Sequence, residues 1–324
     1  METYRWPSEE PPTPDSTVAT LGSFDGVHLG HRTIFRRVNE AAEEESCPSA
    51  AITFHPHPSR VLGQSDQPMI TSLQHRLKLM GRLDLDLCLL FEFTEETAQM
   101  TAGEFVDRVL CDTLQVRRVI LGFDCRFGKD REGDSQFCRQ MGKERGFDVE
   151  TVPPVKAAGE IVSSTAIRRA VSRGDVQHAS RLLGRPYSLY GAVVHGDGRG
   201  HSLGWPTANL DLEGELMPAY AVYAGMAEID DKRYPAVISV GTRSTFHRSE
   251  DASPVVEAHI LEGNPEGLYG KQVEVELYRW LRPQQQFDST HELGEQIRRD
   301  VEDCRRVLRQ LDETEETVPD GLAH

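Results

Sequence analysis

The chain has 324 residues, of which 38% are hydrophobic and 27% are charged, and it carries a formal net charge of −16. This composition is typical of a globular protein with about two domains, and it excludes a disordered chain. The sequence has no run of about 18 apolar residues, so no membrane-spanning helix is expected. The acidic balance argues against a nucleic-acid-binding surface, because phosphate backbones attract basic surfaces.

The N-terminal residues and the cysteines bear on the compartment. Residues 1–16 are acidic and proline-rich, without a basic segment followed by an apolar one, so we expect no secretory signal and a cytoplasmic location. The six cysteines are scattered and form no CxxC pair. This pattern favours free thiols in a reducing compartment over a disulfide or zinc framework.

The first half of the chain alternates apolar runs with amphipathic stretches. Strands are predicted at Val18–Phe24, Ala50–Phe54, Leu85–Phe93, Val116–Phe123 and Val149–Val152. Helices are predicted at Gly30–Glu45, Thr71–Leu83, Thr101–Leu114, Ser135–Arg145, Ser164–Arg173 and Val176–Leu183. Capping boxes are expected where Thr71 precedes Gln74 and where Thr101 precedes Glu104. The alternation predicts an α/β domain with a doubly wound parallel sheet covered on both faces.

After Gly184-Arg185-Pro186, strand-like runs follow one another without helices. They lie at Ser188–His195, Tyr220–Ile229, Tyr234–Val240, Val255–Leu261 and Gln272–Trp280. Glycine- and proline-bearing turns between them predict a small antiparallel barrel or sandwich, followed by one helix from about Ser289 to Leu311. We therefore expect one domain over 1–184, a second over 185–312, and a disordered acidic tail over 313–324.

The strongest chemical pattern in the first half is a glycine-rich turn followed by two histidines. Residues 22–31 read Gly-Ser-Phe-Asp-Gly-Val-His-Leu-Gly-His and join an apolar strand to a helix. Glycines let the backbone approach a phosphate, and free N–H groups at a helix N-terminus bind anions. His28 and His31 can point at one spot and stabilise charge on phosphorus during nucleotidyl transfer. At this spacing alone they are more often surface residues, and a metal site lacks an evident third ligand.

His-x-Gly-His directly after an apolar strand is the signature of a nucleotidyltransferase superfamily that includes class I aminoacyl-tRNA synthetases. The fuller segment resembles the FAD synthetase (FMN adenylyltransferase) domain of bacterial bifunctional riboflavin kinase/FAD synthetases. Three more segments match in order: Thr-Phe-His-Pro-His-Pro at 53–58, Gly-Phe-Asp-Cys-Arg-Phe-Gly at 122–128 and Val-Ser-Ser-Thr-Ala-Ile-Arg at 162–168. The chain departs from the family at Cys125, where phenylalanine is usual.

This resemblance implies residue roles in the first domain. His28 and His31 are expected to contact the ATP phosphates during adenylyl transfer. The remaining ATP and phosphate site is expected to comprise Gly22, Phe24, Asp25, Gly26, Gly30, Ser164, Thr165 and Arg168. The flavin and nucleotide site is expected to comprise His57, Pro58, Asp124, Arg126, Phe127 and Gly128. An arginine such as Arg168 suits this role because a guanidinium binds two phosphate oxygens at once.

A second motif lies in the strand-rich half. Gly-Asp-Gly-Arg-Gly at 196–200 leads to Pro-Thr-Ala-Asn at 206–209. It is not a P-loop, because GxxxxGK[ST] is absent, and a glycine-rich turn between strands is by itself more often a hairpin. Pro-Thr-Ala-Asn resembles the signature of riboflavin kinases, whose six-stranded barrel fits the strand pattern. The stretches 241–246, 257–260 and 268–270 extend this resemblance.

The second resemblance implies a kinase site. Glu257 is expected to be the general base for the riboflavin 5′-hydroxyl; it lies in an apolar strand, although the residues alone leave an exposed position equally open. Thr207 and Asn209 are expected to hold Mg²⁺ and the ATP phosphates. Further nucleotide contacts are expected from Gly196, Gly198, Arg199, Gly200 and Pro206, and flavin contacts from Arg243, Tyr269 and Arg282. The usual Arg-x-Glu segment reads Arg282-Pro283-Gln284 here.

Together these patterns predict a bifunctional transferase that phosphorylates riboflavin to FMN and adenylylates FMN to FAD. ATP is the expected substrate of both steps, Mg²⁺ the expected cofactor, and riboflavin, FMN, FAD and ATP the expected partners, with no nucleic acid or membrane. A homo-oligomer is left open. An adenylyltransferase of another phosphorylated cofactor precursor explains the first domain but not Pro-Thr-Ala-Asn. A non-catalytic flavin-binding protein does not need His28, His31 and Glu257 together, and a class I synthetase needs a Lys-Ser-Lys type of loop.

Overall fold

The structure, a computed structural model, describes residues 1–9, 15–64, 67–195, 207–242, 254–263, 265 and 267–316. Backbone contacts divide the chain into two compact units. The first unit comprises Met1–Pro68 and Leu73–Ser164, and the second comprises Met69–Ser72 and Thr165–His324. The second unit is therefore discontinuous in sequence.

The first unit is built on a parallel sheet, to which the described residues contribute six strands. They are β1 (Glu2–Trp6), β2 (Thr17–Leu21), β3 (Ser49–His55), β4 (Leu87–Glu92), β5 (Val116–Gly122) and β6 (Asp148–Val152). Their order is β1-β4-β3-β2-β5-β6, and every neighbouring pair is parallel. The predicted parallel sheet is thus confirmed. The edge strand β1 was not predicted, because Glu-Thr-Tyr-Arg-Trp contains no apolar run.

Helices cover both faces of this sheet. They are α1 (Leu29–Glu45), α2 (Pro58–Val61), α3 (Leu73–Gly81), α4 (Ala102–Phe105) and α5 (Ser135–Arg145), and α4 continues as a π-helix over Val106–Thr113. A short hairpin follows, formed by β7 (Lys156–Ala157) and β8 (Glu160–Ile161). The capping box between Thr101 and Glu104 is confirmed. Helix α3 begins at Leu73, two residues after the predicted start at Thr71, and the capping box expected between Thr71 and Gln74 stays a prediction.

The second unit is a closed antiparallel barrel, formed within the described part of the chain by six strands. They are β9 (Tyr187–Val194), β10 (Thr207–Leu212), β11 (Ala221–Ile229), β12 (Lys232–Thr242), β13 (Pro254–Ile260) and β14 (Gln272–Pro283), in the order β10-β13-β12-β11-β14-β9. This confirms the barrel rather than a sandwich. Helix α8 (Thr290–Glu316) packs Val301, Cys304 and Val307 against barrel residues that include Val222 and Val237.

Two more helices, α6 (Ser164–Ser172) and α7 (Val176–Leu183), group with the barrel from Thr165 onward. Tyr187 of β9 donates its backbone N–H to Ser180 Oγ at 3.1 Å, and a Cβ on Gly174 would clash with the Trp280 ring. The compact units thus divide at Ser164, whereas we expected these helices to close the first domain. The catalytic boundary near 185 stays a prediction.

Helix α8 also bears on the predicted tail. The helix continues to Glu316, so the first four residues of the segment expected to be disordered are helical. The rest of that segment, 317–324, lies outside the described residues. All six cysteines are described and free, as predicted. None of the described helices is long and apolar enough to cross a membrane.

Candidate active sites

The loop of residues 22–28, here named the histidine loop, joins β2 to α1 at the carboxyl end of the sheet. Phe24 and Val27 have φ values of 48° and 43°, which place two non-glycine residues in the left-handed region. Both side chains are nearly inaccessible, at 1% and 2% exposure. The free energy gained by burying these side chains in the core beneath α1 therefore offsets the cost of the strained backbone.

The two predicted histidines meet at the start of α1. His28 is the N-cap residue, and its Nδ1 accepts the backbone N–H of His31 at 3.3 Å. The imidazole rings stack with centroids 3.5 Å apart, and the Phe24 ring lies edge-on to His31 at 5.2 Å. A Cβ on Gly30 would lie 3.1 Å from His28 Cε1, so the small residue between them leaves room for the stack. The prediction that both rings share one spot agrees with this geometry.

Burial decides the charge of this pair. It lowers the pKa of His28 to about 4. Burial lowers the pKa of His31 well below its ordinary value, and the charges of His28 and Arg76 lower it further. Both rings are therefore neutral near pH 7, and each has one N–H to donate. Within the described residues, His31 Nδ1 is buried without a hydrogen-bond partner.

The predicted signature segment after β8 reaches the histidine loop through its serine. Ser164 Oγ donates to the backbone carbonyl of Asp25 at 3.2 Å, and the Asp25 side chain is 1% exposed. Thr165 is exposed and Arg168 is half-buried on α6, from which Thr165 onward groups with the second unit. Their approach to ATP stays a prediction.

The segment expected at the flavin begins with His57 and Pro58. His57 is the N-cap of α2: its Nδ1 accepts the backbone N–H of Ser59 at 3.3 Å and lies 2.7 Å from Ser59 Oγ. Pro58 is the first residue of that helix, where a missing N–H costs nothing. Both residues follow β3 and so lie at the carboxyl end of the sheet.

The second expected flavin segment follows β5. Asp124 is exposed, and Arg126 forms an ion pair of 2.6 Å with Asp134, the residue that caps α5. Phe127 is only 4% exposed and packs its ring 5.5 Å from that of Phe105, so it serves the core.

Gly128 follows in the same segment, with φ at 75°. A Cβ there would lie 2.6 Å from the Ala102 backbone nitrogen, which accounts for glycine at this position.

The second site forms where β10 pairs with β13. Asn209 lies opposite Glu257, and Thr207 lies opposite His259. On the other side of β13, Ser239 of β12 also lies opposite Glu257. Directly opposed residues on an antiparallel pair have Cβ atoms about 5 Å apart, and alternate residues share a face. The structure thus brings the predicted Thr207, Asn209 and Glu257 together on one face.

The opposite face of the same strands is apolar. Ala208 lies opposite Ala258 and Leu210 opposite Val256, and all four are buried. Glu257 itself is half-buried, between the buried and the exposed position that the residues alone left open. His259 was not predicted as a functional residue, although its spacing from Glu257 places it on the same face.

His259 adds a neutral imidazole to this face. Burial lowers its pKa to about 4, against the opposing effect of the Asp300 carboxylate. Asp300, which is 4% exposed, accepts hydrogen bonds from Arg282 Nε and Nη2, each at 2.8 Å. The guanidinium expected at the flavin is thus bound to α8. Tyr269, another expected flavin contact, is 60% exposed and stacks on His195 with ring centroids 3.8 Å apart.

The remaining predicted kinase residues lie outside the described residues: Gly196, Gly198, Arg199, Gly200, Pro206 and Arg243. Among the residues that are described, no group of three or more His, Cys, Asp or Glu side chains could hold a metal ion. Thr207 and Asn209 nevertheless offer oxygen ligands beside Glu257. Such a set fits Mg²⁺, which takes one or two protein ligands together with substrate phosphates.

Comparison with known proteins gives both halves of the chain a family. The profile of FAD synthetase matches residues 10–166, and that of riboflavin kinase matches residues 183–308. A bifunctional riboflavin kinase/FMN adenylyltransferase of Pseudomonas fluorescens is 36% identical, over 90% of this chain and 92% of its own. That of Listeria monocytogenes is 34% identical, over 91% and 94%.

A solved structure from Streptococcus pneumoniae, titled a macrolide-efflux protein, is 32% identical and has a TM-score of 0.80. The match covers 94% of this chain and 98% of that chain, so the two share their fold. The sequence resemblance, both profiles and the relatives over nearly their full length agree. The chain belongs to the family of bifunctional riboflavin kinase/FMN adenylyltransferases.

Proposed function

We propose that this chain phosphorylates riboflavin to FMN and adenylylates FMN to FAD, with the first step at the barrel and the second at the histidine loop. Family membership over about 90% of the chain supports both activities. The observation that carries the assignment is that one chain holds two separate sets of phosphate-directed residues. One is the His28–His31 stack, and the other is the Asn209–Glu257 pair.

In the adenylyl transfer, a phosphate oxygen of FMN attacks the α-phosphorus of ATP. A new P–O bond forms, the bond from the α-phosphorus to the bridging oxygen breaks, and pyrophosphate leaves. The acceptor is already ionised, so no protein nucleophile or base is required. The neutral His28 and His31 rings donate hydrogen bonds to phosphate oxygens, and the N-terminal amides of α1 add positive potential.

In the kinase reaction, the 5′-hydroxyl oxygen of riboflavin attacks the γ-phosphorus of ATP. The bond to the β–γ bridging oxygen breaks and ADP leaves, while the hydroxyl proton passes to the Glu257 carboxylate. A half-buried carboxylate on a fixed strand suits this role, because its position is set by the ladder on both sides. Thr207 and Asn209 are the residues that would hold Mg²⁺, which neutralises phosphate charge when bound.

The test is to incubate the pure protein with riboflavin, ATP and Mg²⁺ and to separate the flavins by chromatography. We expect FMN to appear first and FAD to follow, with one pyrophosphate released for each FAD. A second incubation that starts from FMN should yield FAD without a lag. Formation of FMN without FAD would contradict the adenylyltransferase assignment. If riboflavin is not converted at all, the kinase assignment is contradicted. A cytoplasmic location and the two catalytic domain boundaries stay predictions.

A further inference from the structure

The histidine loop adopts a backbone that its own residues disfavour. Phe24 and Val27 hold positive φ angles, which strain a residue with a side chain and persist only where the surroundings fix them. Burial of the two side chains supplies part of that support. Further support comes through hydrogen bonds to the backbone carbonyl of Ser23, the residue immediately before Phe24.

An arginine that the sequence patterns did not single out reaches this carbonyl. Arg76 of α3 donates from Nη1 to the carbonyl of Ser23 at 2.6 Å and from Nη2 to the carbonyl of Phe54 at 3.1 Å. The two carbonyls lie at the ends of β2 and β3, which are neighbours in the sheet. Thr53 Oγ1 also donates to the Ser23 carbonyl, at 3.2 Å. One guanidinium thus fastens the histidine loop to the adjacent strand.

The position of Arg76 is costly for a charged group. Arg76 is only 2% exposed, and burial removes most of the water that stabilises a cation. Burial lowers the pKa of Arg76, and the Asp25 carboxylate of the loop opposes this shift. The cation is also close enough to His31 to lower the pKa of that ring. A merely apolar contact between α3 and the sheet would not require this charge.

We propose that Arg76 is a positioning residue for adenylyl transfer, which holds the histidine loop so that His28 and His31 face the triphosphate. It acts through the backbone carbonyls of Ser23 and Phe54 and does not itself touch the reacting atoms. A lysine at this position cannot replace it fully, because one ammonium lacks the planar fork that spans two carbonyls. This inference rests on the adenylyltransferase activity proposed above.

The experiment compares Arg76→Met and Arg76→Lys with a matched control in the full-length protein. Leu79→Ala removes a 4%-exposed core side chain from the same helix and leaves both Arg76 hydrogen bonds, to the Ser23 and Phe54 carbonyls, in place. We expect the kcat of FAD formation to fall about 100-fold in Arg76→Met, because small displacements of catalytic groups cost about that much. The KM for ATP should change less than threefold, and riboflavin phosphorylation less than twofold. The kcat of Arg76→Lys should be at least fivefold higher than that of Arg76→Met.

Equal kcat losses in Arg76→Met and Leu79→Ala, at equal loss of thermal stability, would overturn the proposal and leave Arg76 a structural residue. Should Arg76→Met fail to fold, Thr53→Val provides the second test. It removes the other donor to the Ser23 carbonyl with almost no change of shape, and we expect a fall in kcat of about threefold to tenfold. An unchanged kcat in Thr53→Val and Arg76→Lys alike would also overturn it. Absence of FAD formation by the wild type would instead contradict the underlying function.

Discussion

The two sites hold their functional groups in different ways. At the first, His28 ends a loop that holds two non-glycine residues at positive φ, and His31 lies in the first turn of the helix that follows. At the second, Thr207, Asn209 and Glu257 occupy alternate positions on two regular antiparallel strands. The loop is fixed by buried side chains and by Arg76, whereas the strands are fixed by their own ladder hydrogen bonds. The first site therefore depends on distant support, and the second depends on local pairing.

This difference has a chemical counterpart. Transfer to an already ionised phosphate needs stabilised charge, which neutral imidazoles and helix amides can supply. Transfer to a hydroxyl needs a proton acceptor at a fixed distance, which a carboxylate on a paired strand can supply. We therefore expect single substitutions to separate the two activities. The following experiments test that separation, from the largest expected effect to the smallest.

Replacing Glu257 should give the largest effect. Glu257→Gln keeps the size of the side chain and removes the proton acceptor, so the kinase rate should fall about 10² to 10⁴-fold. FMN supplied directly should still become FAD at the wild-type rate, and the KM for riboflavin should change little. The measurement is FMN and FAD production from each starting flavin. Asp211→Asn, which changes an exposed carboxylate on the paired strand β10, is the control and should change neither rate more than twofold. A kinase loss below about tenfold would show that Glu257 is not the base.

Replacing both histidines should give the next largest effect, confined to the other activity. In His28→Ala/His31→Ala we expect FAD formation to fall about 10² to 10³-fold, since a preorganised donor to a transition state contributes about that much. FMN should still accumulate from riboflavin, and that reaction serves as the internal control for folding. FAD formation at nearly the wild-type rate would mean that the stacked rings are structural.

Fragments of the second unit test whether the barrel strands alone give a stable and active kinase. We expect a fragment over 165–316 to phosphorylate riboflavin, because it retains α6 and α7 with the barrel. A fragment over 185–316 lacks Ser180, the acceptor for Tyr187, and the buried Leu182 and Leu183. Its melting temperature should be lower by at least about 5 °C, which corresponds to about 1 to 2 kcal/mol. Calorimetry and a kinase assay on both fragments measure this, and equal stability would place the unit boundary at 185.

The smallest expected effect is the pH dependence of stability. The pKa of His28 is about 4 in the folded chain, whereas a histidine in an unfolded chain titrates near 6.5. As the pH falls below about 6.5, His28 becomes protonated in the unfolded chain but stays neutral in the folded chain. The free energy of unfolding therefore decreases. Between about pH 6.5 and pH 5 the wild type should lose about 1 to 2 kcal/mol more than His28→Gln.

Denaturant unfolding at the two pH values measures this difference. The exposed His291 of α8 supplies the control variant His291→Gln, which should follow the wild type. Parallel curves for the wild type and His28→Gln would contradict the expected proton linkage at His28.

The sequence predicted most elements of both units because their periodicity was strong. Helices α5 and α7 begin and end at the predicted residues, and the strand predicted around Glu257 is present as β13. The motif likewise predicted that His28 and His31 lie close together, because the strand, the glycine-rich turn and the helix follow one another within a few residues. Local patterns were sufficient wherever the functional groups lie close together in the chain.

The sequence analysis missed features that depend on which distant segment of the chain packs against a residue or helix. The amphipathic pattern of α6 and α7 shows that each has an apolar face, but it does not show which layer buries that face. Arg76 was missed for a related reason: charged residues are normally exposed, and its burial depends on the distant Ser23 and Phe54 carbonyls and on the Asp25 carboxylate. Strand β10 was read only as a motif, since Thr207–Leu212 is short and half polar.

The discontinuity of the second unit sets a limit on its use as a portable module. Leu216 donates its backbone N–H to the carbonyl of Met69 at 2.6 Å, and the Ser72 N–H donates to Glu215 Oε1 at 2.8 Å. These partners belong to one compact unit, yet a long stretch of the first unit separates them along the chain. No single cut in the coding sequence can therefore release the whole barrel unit as one polypeptide. A transplanted kinase module would have to carry a grafted copy of residues 69–72, or accept that Glu215, which is 3% exposed, loses one of its donors.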